Sequence, residues 1–269
     1  MRISGYFINL KESTARAEHM RRESSRLDLQ LSREAAVDGM KLSPKDVEPF
    51  QHAINGLHKL SKQEVGCFFS HRNVWRRIAN GKNNFGAVFE DDLTFSNDAR
   101  YLISDDGWIP EDVDIIKIET TLKKVLLLPP FSEVIPGRQL GYLTSVHMGG
   151  GGYILSKNIA ARLLRSTQNF VAPVDYVLFS PNHMILKDVS RLQMFPAICV
   201  QQVRSKNIFL PKDAELSKLD GSRAILKIKG WQKFWRELMR PYNILISEFS
   251  HRLAALKSGG RWLYIKYRL

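Results

Sequence analysis

The chain has 269 residues, 44% hydrophobic and 25% charged, with a formal charge of +13. These are globular values, which exclude collagen-like, disordered and disulfide-scaffold classes. The longest stretch free of charge and proline, residues 139–156, is interrupted by His147 and a run of glycines and falls short of the about 20 predominantly apolar residues that a bilayer-spanning helix needs. The apolar run before Lys11 is too short for a signal-peptide core, so cytoplasmic residence is the expectation.

Ile3–Leu10 is rich in β-formers and is predicted as the first strand, with Ser13 or Thr14 capping a helix behind it. Leu27–Val37 reads as a second short strand and its exit, and Asp38-Gly39 as a turn. Lys41–Leu60 carries Pro44 and Pro49 and reads as a loop with short helical turns. Ser61–Asn80 is the clearest helix: Ser61 and Glu64 match a capping box, Val65, Phe68, Phe69, Val74, Trp75 and Ile78 form an apolar face, and Gly81 ends it as a C′ glycine. Phe85–Phe89 is an apolar run of buried-strand type, followed at its C-terminal end by Glu90-Asp91-Asp92.

Val113–Glu119 is a further strand, and Val125–Leu128 another before a break at Pro129-Pro130. Tyr142–His147 leads into Gly149–Gly152 and the extended Tyr153–Ser156. Lys157–Ser166 is an amphipathic helix, a helix runs from Pro173 through Phe179, and Leu192–Val203 is extended with Pro196 inside it. Strands alternating with helices indicate an α/β sandwich.

Three adjacent carboxylates at a strand end repel one another unless a cation neutralises them. Ligands of open α/β sheets sit beyond the carboxyl ends of the strands, and hard oxygen donors suit Mg²⁺ or Mn²⁺. A solvated acidic turn is the other reading. Gly149–Gly152 permits close backbone approach to a ligand, but it matches no phosphate-loop fingerprint and also reads as a plain turn. Cys67 and Cys199 sit in apolar surroundings and read as buried, reduced thiols.

The order of motifs resembles glycosyltransferase family 25. The matching segments are YFINLKES with Arg16 after it, AVDG at Ala36–Gly39, LSKQEVGCFFSHRNVW, AVFEDDL, GGYILSKNIAARLL and PVDYVLF. The Glu-Val-Gly-Cys-x-x-Ser-His block, with Glu-Asp-Asp nineteen residues after its His, is the specific part. The segment GGGGY departs from the family, where Thr or Ser is common before Gly-Ala-Tyr.

The resemblance implies an α/β, GT-A-like nucleotide-sugar-binding sandwich, a UDP-sugar donor and a divalent cation, Mn²⁺ or Mg²⁺. It places Asp91 and Asp92 on the metal. It places Asn9, Arg16, Asp38, Ser70, His71, Glu90, Gly151 and Gly152 at the donor. An inverting transferase needs a base for the acceptor hydroxyl. Asp175 is the choice, with Glu119 and Asp188 as alternatives. Arg72 is a second candidate for the diphosphate, and His183 reads as structural rather than as a ligand.

From Arg223 to Leu269 there are eleven Lys/Arg against two Asp/Glu, and three of the five tryptophans. Cationic, aromatic, amphipathic helices lie in membrane interfaces. Packing of these helices on the domain or on a second subunit is the alternative, and nucleic acid is not expected. The reading is a transferase domain over 1–205 and a basic helical region over 206–269. It moves a hexose, galactose from UDP-galactose, onto a lipopolysaccharide or lipooligosaccharide acceptor, peripherally on the cytoplasmic face of the inner membrane. Another metal-dependent phosphoryl-transfer enzyme and a non-catalytic membrane-surface binder remain as alternatives, and oligomerisation stays open.

Overall fold

The computed structural model describes residues 2–50, 60–168, 172–181, 183–204 and 246–268. Strand β1 (Ser4–Asn9), helix α1 (Thr14–Arg26) and strand β2 (Leu31–Ala35) make a parallel β-α-β unit. The short α2 (Pro44–Val47) and long α3 (Lys62–Asn80) lead to β3 (Phe85–Glu90), which pairs with β1 in parallel. Next come β4 (Leu93–Phe95), α4 (Ala99–Ser104), β5 (Ile115–Lys117), β6 (Glu119–Thr120), β7 (Lys124–Ile135), β8 (Arg138–Leu143) and β9 (Gly152–Ser156). Then follow α5 (Lys157–Ser166), α6 (Val174–Phe179), β10 (Arg191–Phe195) and β11 (Cys199–Gln201). A helix over residues 246–258, α7, precedes β12 (Arg261–Tyr264).

Nine strands form one mixed sheet in the order β12-β7-β8-β10-β5-β9-β3-β1-β2, and β4-β11-β6 form a small second sheet. Because side chains alternate along a strand, a sheet covered on both faces needs apolar residues at every position. β1 sends Tyr6 and Ile8 into one core and Phe7 into the other. β3 divides Val88 from Ala87 and Phe89, and β9 divides Tyr153 and Leu155 from Ile154. The first core is closed by Val65, Phe68 and Trp75 of α3 and Ile159 and Leu163 of α5. The second is closed by Met20 of α1, Leu102 of α4 and Phe95 of β4. The parallel pairing of β1 and β3 sets their C-terminal ends side by side, which brings Asn9 next to the acidic triplet.

The capping box of α3 is present: the Ser61 amide donates to Glu64 Oε2 at 2.9 Å and the Glu64 amide donates to Ser61 Oγ at 3.2 Å. Two glycines set how close the Asp38 loop lies to this helix. A Cβ on Gly39 would stand 2.1 Å from the Lys62 carbonyl, and one on Gly66 would stand 2.6 Å from the Gly39 amide. No side chain fits either place.

Three sequence expectations change. Gly81 does follow α3, but with φ −73° and ψ 173°, an extended exit rather than the left-handed C′ conformation. The chain does not break at Pro129-Pro130, because β7 runs through both prolines. The ladder to β8 shifts register between Leu128 and Ser132, so neither proline has to donate there.

The chain end is the third. Helix α7 fits the expected helical region, but Arg261–Tyr264 is an edge strand antiparallel to β7. Alternating Trp262 and Tyr264 suit a strand as readily as a helix, and the free edge of β7 decides between them. Trp262 donates to Glu248 Oε2 at 2.9 Å, Ile265 is fully buried, and the Arg268 carbonyl accepts from Arg138 at 3.0 Å. The rest of the basic region read as helical, residues 206–245, lies outside the described residues.

Ile265→Ala is therefore expected to cost about 2–5 kcal/mol in a denaturant melt, the range for deleting buried methyl groups. A change within about 0.5 kcal/mol, as for an exposed position, would mean that the chain end does not belong to the core.

Candidate active site

The cleft opens where β1 and β3 end. Two chambers, of about 200 Å³ and about 190 Å³, share Cys67, Glu90 and Asp92 in their walls. The first is mainly apolar, with Leu10, Val37 and Met40 beside Asp38, Arg16 and His71. The second is polar, with Lys123, Gly149, Gly150, Asp175 and Arg204.

The three carboxylates have separate environments. Asp91 is engaged on both oxygens: Asn9 donates to Oδ2 at 2.6 Å and Arg16 donates to Oδ1 at 3.0 Å. Glu90 accepts from Gln201 at 3.0 Å on Oε2. Asp92 Oδ1 is buried with no hydrogen-bond partner. Burial, reinforced by the Glu119 and Asp91 charges, pushes the Glu90 carboxyl up to about 7. Burial and the Glu90 charge do the same to Asp92 against the pull of Arg16. A positive charge between Glu90 and Asp92 would relieve both effects.

Cations such as Mg²⁺ and Mn²⁺ are commonly held by one or two carboxylates plus substrate phosphates, not by an all-protein cage. Asp92, with its orphaned oxygen, and Glu90 fit that role. Asp91, also expected on the metal, lines the first chamber with its two oxygens on Asn9 and Arg16. Among the described residues, one group of three His, Cys, Asp or Glu brings its ligand atoms within 4.8 Å of one another: Cys67, His71 and Glu90.

Of the residues expected at the donor, Arg16, Asp38, Ser70, His71 and Glu90 line the first chamber. Asn9 stands behind it on Asp91. The Asp38 side chain accepts from the Met40 amide at 2.9 Å, and Ser70 Oγ accepts from the Val37 amide at 2.8 Å, so both shape the loop that forms one wall. His71 Nδ1 meets Tyr153 Oη at 2.8 Å, Nε2 is buried without a partner, and burial lowers the ring to about 4.

Gly151 and Gly152 line neither chamber. A Cβ on Gly152 would stand 2.5 Å from Cys199 Sγ, so packing disfavours any side chain there, and one on Gly151 would stand 3.1 Å from the Glu119 carboxyl group, a tight contact. The cleft face of the loop is Gly149, with φ +109°, and Gly150. Arg72 does not face the cleft, since it donates to the carbonyls of Leu164 and Thr167 behind α5. His183 likewise lines neither chamber; its ring lies edge-on to Tyr176.

The three carboxylates considered as base separate cleanly. Asp175, in the first turn of α6, lines the second chamber and accepts from the Gly149 amide at 3.0 Å and the Tyr176 amide at 2.9 Å. Glu119 is fully buried, with Lys117 at 3.1 Å and the Gly151 amide at 3.0 Å on one oxygen. Asp188 is at the surface, bound by Arg162 at 2.6 and 3.0 Å. Only Asp175 of the three meets the cleft.

The sequence reading missed Gln201, Lys123 and Arg204, which reach the cleft from segments far along the chain, and it set Cys67 aside as an inert thiol. Both cysteines are free as expected, but Cys67 is half-buried and faces both chambers. The available signal was its spacing, four residues before His71 on one helix face.

Comparison with known proteins identifies the family. The family model for glycosyltransferase family 25 (LPS biosynthesis protein) matches residues 3–178. The lipooligosaccharide biosynthesis protein lic2B of Haemophilus influenzae is 28% identical over 233 residues, 81% of this chain and 82% of that protein. The lacto-N-neotetraose biosynthesis glycosyltransferase LgtE of Neisseria meningitidis serogroup B is 30% identical over 173 residues, 59% of this chain and 61% of that protein. The lipooligosaccharide biosynthesis protein lex-1 of Haemophilus influenzae is 30% identical over 171 residues, 57% of this chain and 54% of that protein. Helix α3, Glu90, Asp91, Asp92, Glu119 and Asp175 and the whole lining of the first chamber fall inside the matched region, while Gln201, Val203 and Arg204 of the second chamber lie beyond it. The chain belongs to glycosyltransferase family 25 and is a glycosyltransferase.

Proposed function

We propose that this enzyme transfers a hexose, galactose from UDP-galactose, to a lipooligosaccharide or lipopolysaccharide acceptor, with inversion, on a GT-A-like scaffold. The observation that carries the reading is the orphaned Asp92 oxygen beside Glu90, where an apolar and a polar chamber meet. The named relatives act in lipooligosaccharide or lacto-N-neotetraose biosynthesis, which supports the acceptor class. The galactose donor follows from the motif resemblance.

In this reading the first chamber takes the nucleoside, with Val37 and Met40 against the base and Asp38 toward the ribose. Asp92 and Glu90 would hold the Mn²⁺ or Mg²⁺ ion, which when bound neutralises the charge that develops on the UDP leaving group. Arg16, anchored on Asp91, adds a fixed positive charge on the same side. The acceptor enters the second chamber. Asp175, oriented by two backbone amides, takes the proton of the acceptor hydroxyl as its oxygen bonds to the anomeric carbon and the bond to the diphosphate breaks.

The basic segment offers a membrane contact. By sequence, Lys227, Lys229, Lys233, Arg236 and Arg240 are interleaved with Trp231 and Trp235. In α7, Phe249 and Leu256 are exposed. No helix among the described residues is long and apolar enough to cross a membrane. Adsorption to the cytoplasmic face of the inner membrane is the mode that suits these features.

Asp92→Asn keeps the shape and removes one charge. Transfer, measured as UDP release with acceptor present, is expected to fall by on the order of 100-fold or more with the fold retained. Full activity of that variant, or of wild type in EDTA, would refute the cation assignment. Asp175→Asn is expected to lower kcat by about 10²–10⁴ with donor KM little changed. A collapse of donor binding instead would make Asp175 a binding residue. For the membrane contact, each basic residue near an anionic surface contributes roughly 1 kcal/mol. Co-sedimentation with anionic vesicles is therefore expected, with release in high salt and loss when Lys227, Lys229, Lys233 and Arg236 are all changed to Gln. Binding to neutral vesicles just as tightly would remove the electrostatic claim.

A further inference from the structure

The group of Cys67, His71 and Glu90 has chemistry unlike that of the hard-cation position at Asp92. Cys67 and His71 are four apart on α3 and point the same way. Glu90 comes to them from the end of β3, with its Oε1 3.8 Å from His71 Nε2. Tyr153 occupies the other ring nitrogen, and the ring stacks on the Tyr153 ring at 5.8 Å between centroids. Its orientation is thus set, and Nε2 is left buried and without a partner, facing the sulfur and the carboxylate. A buried imidazole nitrogen with no partner is an unfavourable arrangement unless a ligand completes it.

We propose that Cys67 Sγ, His71 Nε2 and Glu90 Oε1 form a binding site for a borderline-soft divalent ion of the zinc class, distinct from the hard-cation position at Asp92 through its Cys67 and His71 ligands and sharing Glu90 with it. Zinc–ligand bonds of 2.0–2.3 Å in a tetrahedron put ligand atoms roughly 3.3–3.6 Å apart. The three atoms already lie within 4.8 Å of one another, so shifts of about an ångström close the site. A thiolate–imidazole–carboxylate set selects zinc or cobalt over magnesium and manganese, which favour all-oxygen shells. Three protein ligands leave a fourth position open. Here it faces the junction of the two chambers, since Cys67 and Glu90 line both. Binding replaces the thiol proton of Cys67 with the metal and releases that proton to solvent. The Tyr153 contact plays the part of an outer-shell partner that fixes a metal-bound imidazole.

The test is a Co²⁺ titration of the full-length, metal-free protein, read by absorption, so it involves no sugar transfer and is independent of the donor and acceptor assignments. Expected are one equivalent bound, a thiolate-to-cobalt charge-transfer band, visible bands of four-coordinate cobalt, and displacement of cobalt by one equivalent of Zn²⁺. Excess Mg²⁺ should leave the spectrum unchanged. Cys67→Ser should abolish the thiolate band and weaken binding by more than about 100-fold, beyond the 10–100-fold typical of losing an outer-shell partner. His71→Gln should weaken it similarly, and Cys199→Ser should keep the wild-type spectrum. A wild type with no thiolate band would overturn the site without recourse to any variant. A band that survives Cys67→Ser or disappears in Cys199→Ser would overturn it as well. Asp92→Asn separates the two positions: its cobalt spectrum should remain, and a spectrum lost in that variant would merge this site with the hard-cation position and overturn the proposal.

Discussion

Five carboxylates, Glu90, Asp91, Asp92, Glu119 and Asp175, converge where β1 and β3 end. Keeping them together is the constraint around which the rest of the molecule is arranged. Two like charges about 4 Å apart in a protein of effective dielectric near 20 repel by about 4 kcal/mol. The fold offsets this one carboxylate at a time. Arg16 and Asn9 take Asp91, Lys117 and the Gly151 amide take Glu119, and the Gly149 and Tyr176 amides take Asp175. Glu90 and Asp92 are left with weak compensation, and their carboxyls are pushed up accordingly. The uncompensated pair is the part of the cluster that faces both chambers, so the electrostatic deficit lies where a cationic ligand can reach it.

The scaffold that holds this deficit depends on close approach. Gly39 against Gly66 lets the Asp38 loop form one wall of the first chamber, with Ser70 Oγ holding the Val37 amide. Gly151 and Gly152 let the loop before β9 lie on Glu119 and Cys199, which frees Gly149 and Gly150 to line the second chamber. The glycine-rich segment thus serves carboxylate burial first and the cleft second. β9, inserted antiparallel between β3 and β5, carries that loop to the end of the sheet where the cleft opens.

Helix α3 connects the two sides of the cleft. One face fills the first core with Val65, Phe68 and Trp75, while Cys67, Ser70 and His71 on or beside it turn toward the chambers. The motif that is most specific in the sequence is therefore both a packing element and a wall of the site. Tyr153 ties these roles together, because its hydroxyl is shared by Trp75 and His71 at 2.8 Å each.

Much was legible in the sequence because it is encoded locally. The capping box at Ser61, the unbroken apolar runs of β1, β3 and β9, and the acidic triplet after Phe89 each follow from neighbouring residues. Family membership followed from the same short motifs. The remainder depended on contacts between residues distant in sequence. The motif PVDYVLF singles out Asp175, but whether it, Glu119 or Asp188 meets the cleft turns on partners 26 to 32 residues away. The edge strand at Arg261–Tyr264 needed the open side of β7, more than a hundred residues earlier. Secondary structure and motif identity are set by the residues within a turn or two. The division of labour among the acidic groups is set by burial and by which donor reaches each oxygen, and those exist only once the sheet has assembled.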